Sequence, residues 1–469
     1  MERDVLARTR AMRLPSFVGL FVLVALSFNA PARADEGAAR KMSLEEAIAF
    51  ARTHQLRVVA AKQRLVAAQA DAEVPGAQWL PRVGAFAEVI GSTVNNSTTT
   101  MLNVPTVDIP RIGATQIHST PSWQPYPSTG AAIGARQQIY DFGRIAAETA
   151  AADLVTELEK ARLASATIDV EFAVEQAYYA VLAADAIEEA SKNAFERSSK
   201  YRDQAKANVA TGMRPPIELT RADADVAKYE AGMLRARGAT HVARAVFAAA
   251  VGVDDVELDI NGQPKDRGAL PPLADLLRHG ERTPLVVESR ARLAAQRGQT
   301  AALDAQLRPN LYLTTAFSGR AGGAPATSGP TPFAEGWLPV VPNYHLGAVL
   351  SWTILEPTIG KRADASRARE AAFASEVELA VRTQRTAVAA AWQDADVAAR
   401  SLEALGRGAD AAKANYDQAE NRMRVGLGTA TELADAQAVR TDAEIQLAIG
   451  RFQMARSRAA LERAVAEVK

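Results

Sequence analysis

Apolar residues recur at helical spacing through "SLEEAIAFARTHQLRVVAAKQRLVAAQADAEV" (43–74), with Leu44, Ile48, Ala51, Leu56, Val59 and Leu65 among the apolar positions. The same style returns over 272–307, where Gly280 and Pro284 mark an early bend. Each segment then meets a proline, Pro81 or Pro309, and the period changes from helical to alternating. Strands are predicted at about 81–90, 130–140, 309–318 and 344–355. The clearest is "YHLGAVLSWTIL" (344–355), in which Tyr344, Leu346, Ala348, Leu350, Trp352 and Ile354 alternate with His345, Gly347, Ser351 and Thr353. Alternation with an aromatic at each end predicts a barrel strand that faces lipid on one side. The competing reading is a surface hairpin on a soluble domain. Val349 interrupts the polar face, and 130–140 alternates less cleanly.

Polar loops, 91–129 and 318–342, separate the strands of each pair. A short turn follows each pair, and then proline-free helical patterning runs over 144–211 and 361–425. About 65 residues at 1.5 Å rise make roughly 100 Å of helix. After a glycine break, shorter helices are predicted at 216–251 and 429–467. Two short helices end to end match one long one, so each half can form a pair of parallel rods. Helices that long need sustained partners, which coiled-coil packing supplies, and frequent alanine lets backbones approach. The breaks reveal a duplication. "DQAKANVATGMRPPIELTRADA" (203–224) aligns without gaps to "DQAENRMRVGLGTATELADAQA" (417–438), so Gly212 and Glu218 recur as Gly426 and Glu432. The chain divides into a leader (1–34), a first repeat (35–252), a linker (253–272) and a second repeat (273–469).

Composition narrows the function. Lys plus Arg equals Asp plus Glu, 54 each, so no strong pull toward nucleic acid or anionic lipid is expected. Cysteine is absent, which removes thiolate chemistry, cysteine zinc sites, disulfides and lipoprotein anchoring. The five histidines, at 54, 118, 241, 279 and 345, have no metal-ligand spacing. A basic flank, an apolar stretch (14–30) and Ala32-x-Ala34 predict a secretory signal peptide cut after Ala34. Its apolar run falls short of the roughly 20 residues a membrane anchor needs. No later segment reads as a transmembrane helix, so any membrane crossing must be β-barrel.

The duplicated helix–strand–loop–strand–helix–hairpin order, the turns "QQIYDFGR" and "WTILEPTIGKR", and the tip "VGLGTATELADAQ" resemble the TolC-like outer-membrane efflux proteins of Gram-negative bacteria. The resemblance covers essentially the whole chain after the leader. It implies a mainly α fold with a membrane β-barrel portion: a long-helix α-barrel tunnel in the periplasm and a twelve-stranded barrel formed by a homotrimer, four strands per chain. It further implies a periplasmic adaptor and an inner-membrane transporter as partners, and an energy source outside this chain. The linker 253–272 would pack outside the tunnel. The strands themselves agree in outline, because an open sheet leaves unpaired edges that lipid forbids. The rival reading is a soluble periplasmic coiled-coil adaptor or scaffold.

No enzyme constellation is present: no Walker loop, no His-Glu-x-x-His, no G-x-S-x-G, and no cofactor or metal site is expected. Thr429-x-x-Glu432 is a capping box. Asp435 lies on nearly the same helical face, and no cap requires it. By resemblance this acidic pair projects into the periplasmic entrance, where threefold repetition would favour cations. Glu218 on the first tip matches Glu432 and is the third acid expected at the entrance constriction, but Arg221 occupies the place of Asp435 and is expected to pair with Glu218. In well-known family members the first-tip acid is held by a tyrosine and an arginine on the second tip. Here those positions are Met423 and Gly428, so Arg424 or Arg422 is the expected substitute, unless the resting entrance is looser. Adaptor docking is expected near Gly212, Gly426, Gly428 and Arg424.

Overall fold

The computed structural model describes residues 41–93, 125–254, 258–262, 267–278, 282–322 and 341–468. The leader 1–34, His118, His279 and most of both polar loops lie outside the described residues. The first half contains β1 (Lys41–Met42), α1 (Leu44–His54), α2 (Leu56–Ala77), β2 (Arg82–Thr93), β3 (Pro125–Tyr140), α3 (Arg144–Ala210) and α4 (Pro216–Val251). The second contains β4 (Asp259–Ile260), α5 (Leu273–Arg278), α6 (Pro284–Ala305), β5 (Asn310–Gly322), β6 (Val341–Ser351), α7 (Pro357–Arg424) and α8 (Ala430–Val465). Among the described residues, no helix is long and apolar enough to cross a membrane.

The long helices α3 and α7 have 67 and 68 residues, about 100 Å each at 1.5 Å per residue. α7 packs against α6 along its strand-side half and α8 along its tip-side half, whereas α3 packs against both α2 and α6 on the strand side and both α4 and α8 on the tip side. The continuous helix expected over 43–74 is broken at Gln55, whose backbone is extended and whose side chain caps α2 by accepting from the Arg57 N–H. The physical reason is the joint between the short helices. Gly252, which ends α4, approaches so closely that a Cβ there would sit 3.2 Å from Gln55 Cα. In the second half the joint recurs, with the Val468 N–H donating to the Arg282 carbonyl at 3.0 Å.

Several terminus positions also differ from the pattern: β2 runs on to Thr93, β3 begins at Pro125 and β5 reaches Gly322, each into a segment read as polar loop. β6 stops at Ser351, before the full 344–355 alternation is used, and the Trp352 indole donates to the Leu307 carbonyl at 3.1 Å. α7 starts at Pro357 rather than 361, because Glu356 accepts from the Thr358 N–H and a proline in the first turn forfeits no intrahelical bond. The opposite turn uses other means. The carboxylate of buried Asp141 accepts from the Gly143 and Ile145 N–H groups and so caps α3.

The larger core cluster lies around the middle of α3. Val174, Tyr178, Tyr179, Phe247, Val251 and Leu258 are fully buried there, between α1, α3 and α4. Arg267, from the linker, is tied to Glu175 on α3 and to Glu462 on α8, the latter at 2.6 Å. It also donates to the Tyr179 hydroxyl at 3.1 Å. Burial, chiefly, pushes the Tyr179 phenol up to about 12. Along the rest of the rods the buried positions are largely alanine, including Ala151, Ala194, Ala205, Ala222 and Ala236, which is what close helix approach requires.

β1 and β4 form a short parallel pair, and the four-stranded sheet is antiparallel throughout, in the order β2-β3-β5-β6. Its registers place Ala85 beside Ile133, Ile133 beside Phe317, and Phe317 beside Tyr344. One face therefore collects Val83, Val89, Ile133, Leu313, Phe317, Tyr344, Leu346 and Leu350, all exposed. The other carries Arg82, Glu88, Arg136, Thr314, Ser318 and His345. In the single chain the outer edges of β2 and β6 have no strand partner among the described residues.

Candidate functional site

At the end away from the sheet, each long helix reverses into a short one. α3 ends through Thr211, and Gly212 takes a left-handed φ of +72. The Gly212 N–H donates to the Val209 carbonyl and the Met213 N–H to the Asn208 carbonyl. α7 ends identically, with Gly426 at φ +80, its N–H on Met423 and the Leu427 N–H on Arg422. Both are Schellman closures, which need a residue without a Cβ penalty at the left-handed position.

The return helices start differently. Pro215 and Pro216 open α4 without a side-chain cap. Thr429 and Glu432 form the reciprocal capping box of α8, with distances of 3.1 and 3.2 Å. Just before it, Gly428 is pressed against the end of α7. A Cβ there would lie 2.8 Å from the Met423 nitrogen and 3.1 Å from the Arg422 carbonyl carbon. The backbone leaves no room for a side chain at 428.

Asp435 is exposed one turn beyond Glu432 and has no hydrogen-bond or ion-pair partner among the described residues. Glu432 is exposed too, with Arg422 at 3.9 Å. Glu218 is half-buried and pairs with Arg214 at 3.4 Å, not with Arg221. Arg221 instead crosses to the second tip and donates to Thr431 at 3.2 Å. Glu218 thus finds its arginine N-terminal to the helix, leaving Arg221 free to reach the neighbouring hairpin. Neither proposed substitute reaches Glu218 within the chain. Arg424 donates to Asn421 at 2.6 Å, and Arg422 to the Leu427 carbonyl at 3.2 Å. Met213, Ile217, Val425 and Leu427 form an exposed apolar rim around both turns.

A joint not foreseen in the sequence ties the two hairpins above the tips. Arg197 on α3 pairs with Glu444 on α8 at 3.1 Å. Arg440 bonds the same carboxylate at 2.8 Å and lies over the Tyr416 ring at 4.8 Å. Tyr416, Leu433 and Ala436 make a small core against which Tyr201 and Met423 pack. The Tyr201 hydroxyl is buried without a partner, and burial, then the charge of Glu218, raise its pKa. The available signal was two tyrosines, Tyr201 and Tyr416, each about three turns from its glycine. Among the described residues no group of acids and histidines is arranged to hold a metal ion.

A family model described as outer membrane efflux protein matches residues 48–253 and 279–467. The solved outer-membrane channel OprN is similar over 92% of this chain and 94% of that one, with 20% identity and a TM-score of 0.71. VceC, an outer membrane protein of Vibrio cholerae, shares 18% identity over 90% of this chain and 96% of its own, with a TM-score of 0.69. The open state of the Neisseria gonorrhoeae MtrE outer membrane channel covers 97% and 98% at 16% identity, with a TM-score of 0.66. These likenesses carry the fold, mainly α with a β-barrel portion. No curated protein sequence matches the chain. The soluble-adaptor alternative falls here, because the model spans both duplicated halves and the sheet has the apolar face of a barrel wall. The chain belongs to the outer membrane efflux protein family and is an outer-membrane efflux channel.

Proposed function

We propose that the chain works as a passive exit duct, a homotrimer whose sheets close into one barrel in the outer membrane and whose rods form a tunnel through the periplasm. The observation that carries this reading is the sheet, apolar on one face and open at β2 and β6. Unpaired strand edges in lipid leave backbone groups unsatisfied at several kcal/mol each, so further copies must complete the wall. β2 and β6 are antiparallel neighbours-in-waiting, because the four strands alternate in direction.

In this reading the tips form the periplasmic entrance. Asp435 and Glu432 line its constriction and favour cations, with the half-buried Glu218 beside them in a structural role. An inner-membrane transporter and a periplasmic adaptor engage the tips around Gly212, Gly426, Gly428 and Arg424, and the exposed rim of Met213, Ile217, Val425 and Leu427 supports that placement. The transporter supplies the energy. Residues 1–34 act as a cleaved export signal, and the two repeats, 35–252 and 273–469, join through 253–272.

Fractionation of cells expressing the full-length protein tests this. A heat-resistant oligomer in the outer-membrane fraction, forming channels in planar bilayers, is the expected result. A soluble periplasmic monomer would overturn it.

A further inference from the structure

Halfway along the rods, α4 and α8 flank α3 and leave an apolar groove of about 520 Å³ between them. Ala180, Ala183 and Ile187 on α3 form its floor, with Ala239 on α4 and Ile449 and Phe452 on α8 as its walls. Ala180, Ala239 and Ile449 are exposed along it. The core does not use this surface. α3 buries Val174 and Val181 against α1 and α4 on another face, at least about 100° round the helix from the groove. Apolar surface left open beside water in this way marks a place where something apolar binds.

The groove opens away from the linker. Arg458 on α8 donates to the Gly268 carbonyl, and Trp392 on α7 to the Pro271 carbonyl at 2.9 Å, so both mark the linker side of the wall. Ile449, Phe452, Gln453 and Arg456 lie about 120–220° round α8 from Arg458. A second recess across α8 shares Gln176, Gln453 and Arg456, and its α7 residues, Asp394, Val397, Ser401 and Leu405, lie about 140–220° from Trp392. Elements added to one face of a closing helical wall fit on its convex side, so the groove faces the lumen. Its rim carries hydrogen-bonding groups in waiting: Gln176, Gln453 and Arg456 have no hydrogen-bond or ion-pair partner among the described residues.

We propose that this groove is a binding site for small amphipathic solutes in transit, holding an apolar ring body between Ile187, Ile449 and Phe452 and a polar head toward Gln176, Gln453 and Arg456. The volume is that of a small-molecule site. The lining runs from Gln176 to Ile187, about 16 Å of α3, which is long enough for a two-ring compound and short for a docked helix. Its place in a lumen rests on the exit-duct reading, whereas the groove itself is formed within one chain.

The chain has no cysteine, so Ala180→Cys supplies a single thiol in the groove. The full-length protein carrying it, in lipid nanodiscs, is labelled with a sulfonated maleimide in the presence and absence of naphthalene-2-carboxylate. The thiol is expected to label, and saturating naphthalene-2-carboxylate to slow labelling about fivefold or more. Added Phe452→Ala should raise the half-protecting concentration about tenfold, as for loss of much of one ring's burial. Added Arg456→Gln should raise it several-fold, as for loss of a charge-assisted hydrogen bond. Added Ala239→Leu fills the groove and should abolish protection; Ala239 and Arg456 are exposed, so these two substitutions spare the fold. A thiol that does not label lies beneath a neighbouring copy, and one that labels without protection takes up no solute. Either result overturns the proposal, as does protection that all three added substitutions leave unchanged. Planar bilayers keep the duct reading separate: absence of conductance defeats the duct, while protection in nanodiscs decides the groove.

Discussion

The first tip turns through Thr211, Gly212, Met213, Arg214 and Pro215; the second turns through Val425, Gly426, Leu427, Gly428 and Thr429. The backbone closure is shared, down to the left-handed glycine and both reversed hydrogen bonds. The chemistry laid over it is not. The first tip engages its acid, with Glu218 half-buried against Arg214 and Arg221 bonded across to Thr431. The second leaves Asp435 exposed, with no partner among the described residues. Duplication has kept what the turn physically needs and let the surface diverge. One tip pairs its acid, and the other leaves an acid exposed.

The sharpest way to break that comparison is at the position where the tips differ in backbone packing. Gly428→Ala forces a Cβ to within 2.8 Å of the Met423 nitrogen, where the first tip carries Arg214 without difficulty. Overpacking of this kind costs about 1–3 kcal/mol. Limited proteolysis should therefore cut the second tip of this variant faster, whereas Arg214→Ala should leave the first tip's turn intact. If both variants resist equally, the turns are more alike than their packing suggests.

A smaller effect is expected from Thr429→Ala, which removes the capping box from α8 at a cost of about 1 kcal/mol. The first tip has no equivalent cap, since prolines start α4. Hydrogen exchange at the first turn of α8 should accelerate in this variant while that of α4 stays unchanged. Asp435→Asn should move stability least, within about 0.5 kcal/mol, as for exposed residues without partners. Its readout is the reversal potential across a salt gradient, which should shift toward lower cation preference. Glu218→Gln should leave that potential where it was. An equal shift from both would mean that the first-tip acid also faces the pore.

Much of this was readable in the chain. The long and short helices follow from sustained 3.6-residue periodicity, and the turns from glycines at duplicated positions. The Thr429–Glu432 box is local, four residues long, and so stands in the sequence complete. The alternation of β6 likewise marked a lipid-facing wall. What stayed hidden depended on partners far along the chain. Spacing in sequence points Glu218 to Arg221, three residues on, yet Arg214, four residues before it, is the one that pairs. Arg197, Arg440, Glu444 and Tyr416 join from three helices. Gln55 breaks a helix whose local pattern is unbroken, because the end of α4 arrives there.

By itself, then, the sequence determined the elements, their repetition, the apolar face of the barrel wall and the local caps, since each is set by residues within a turn or two of one another. Only the tertiary structure decided which arginine meets which acid and how the short helices abut. It alone placed Arg82 opposite Arg136, a pairing set by a strand register that spans the intervening loop. Side-chain partners chosen across such distances depend on how whole rods and strands dock, and no local pattern encodes that choice.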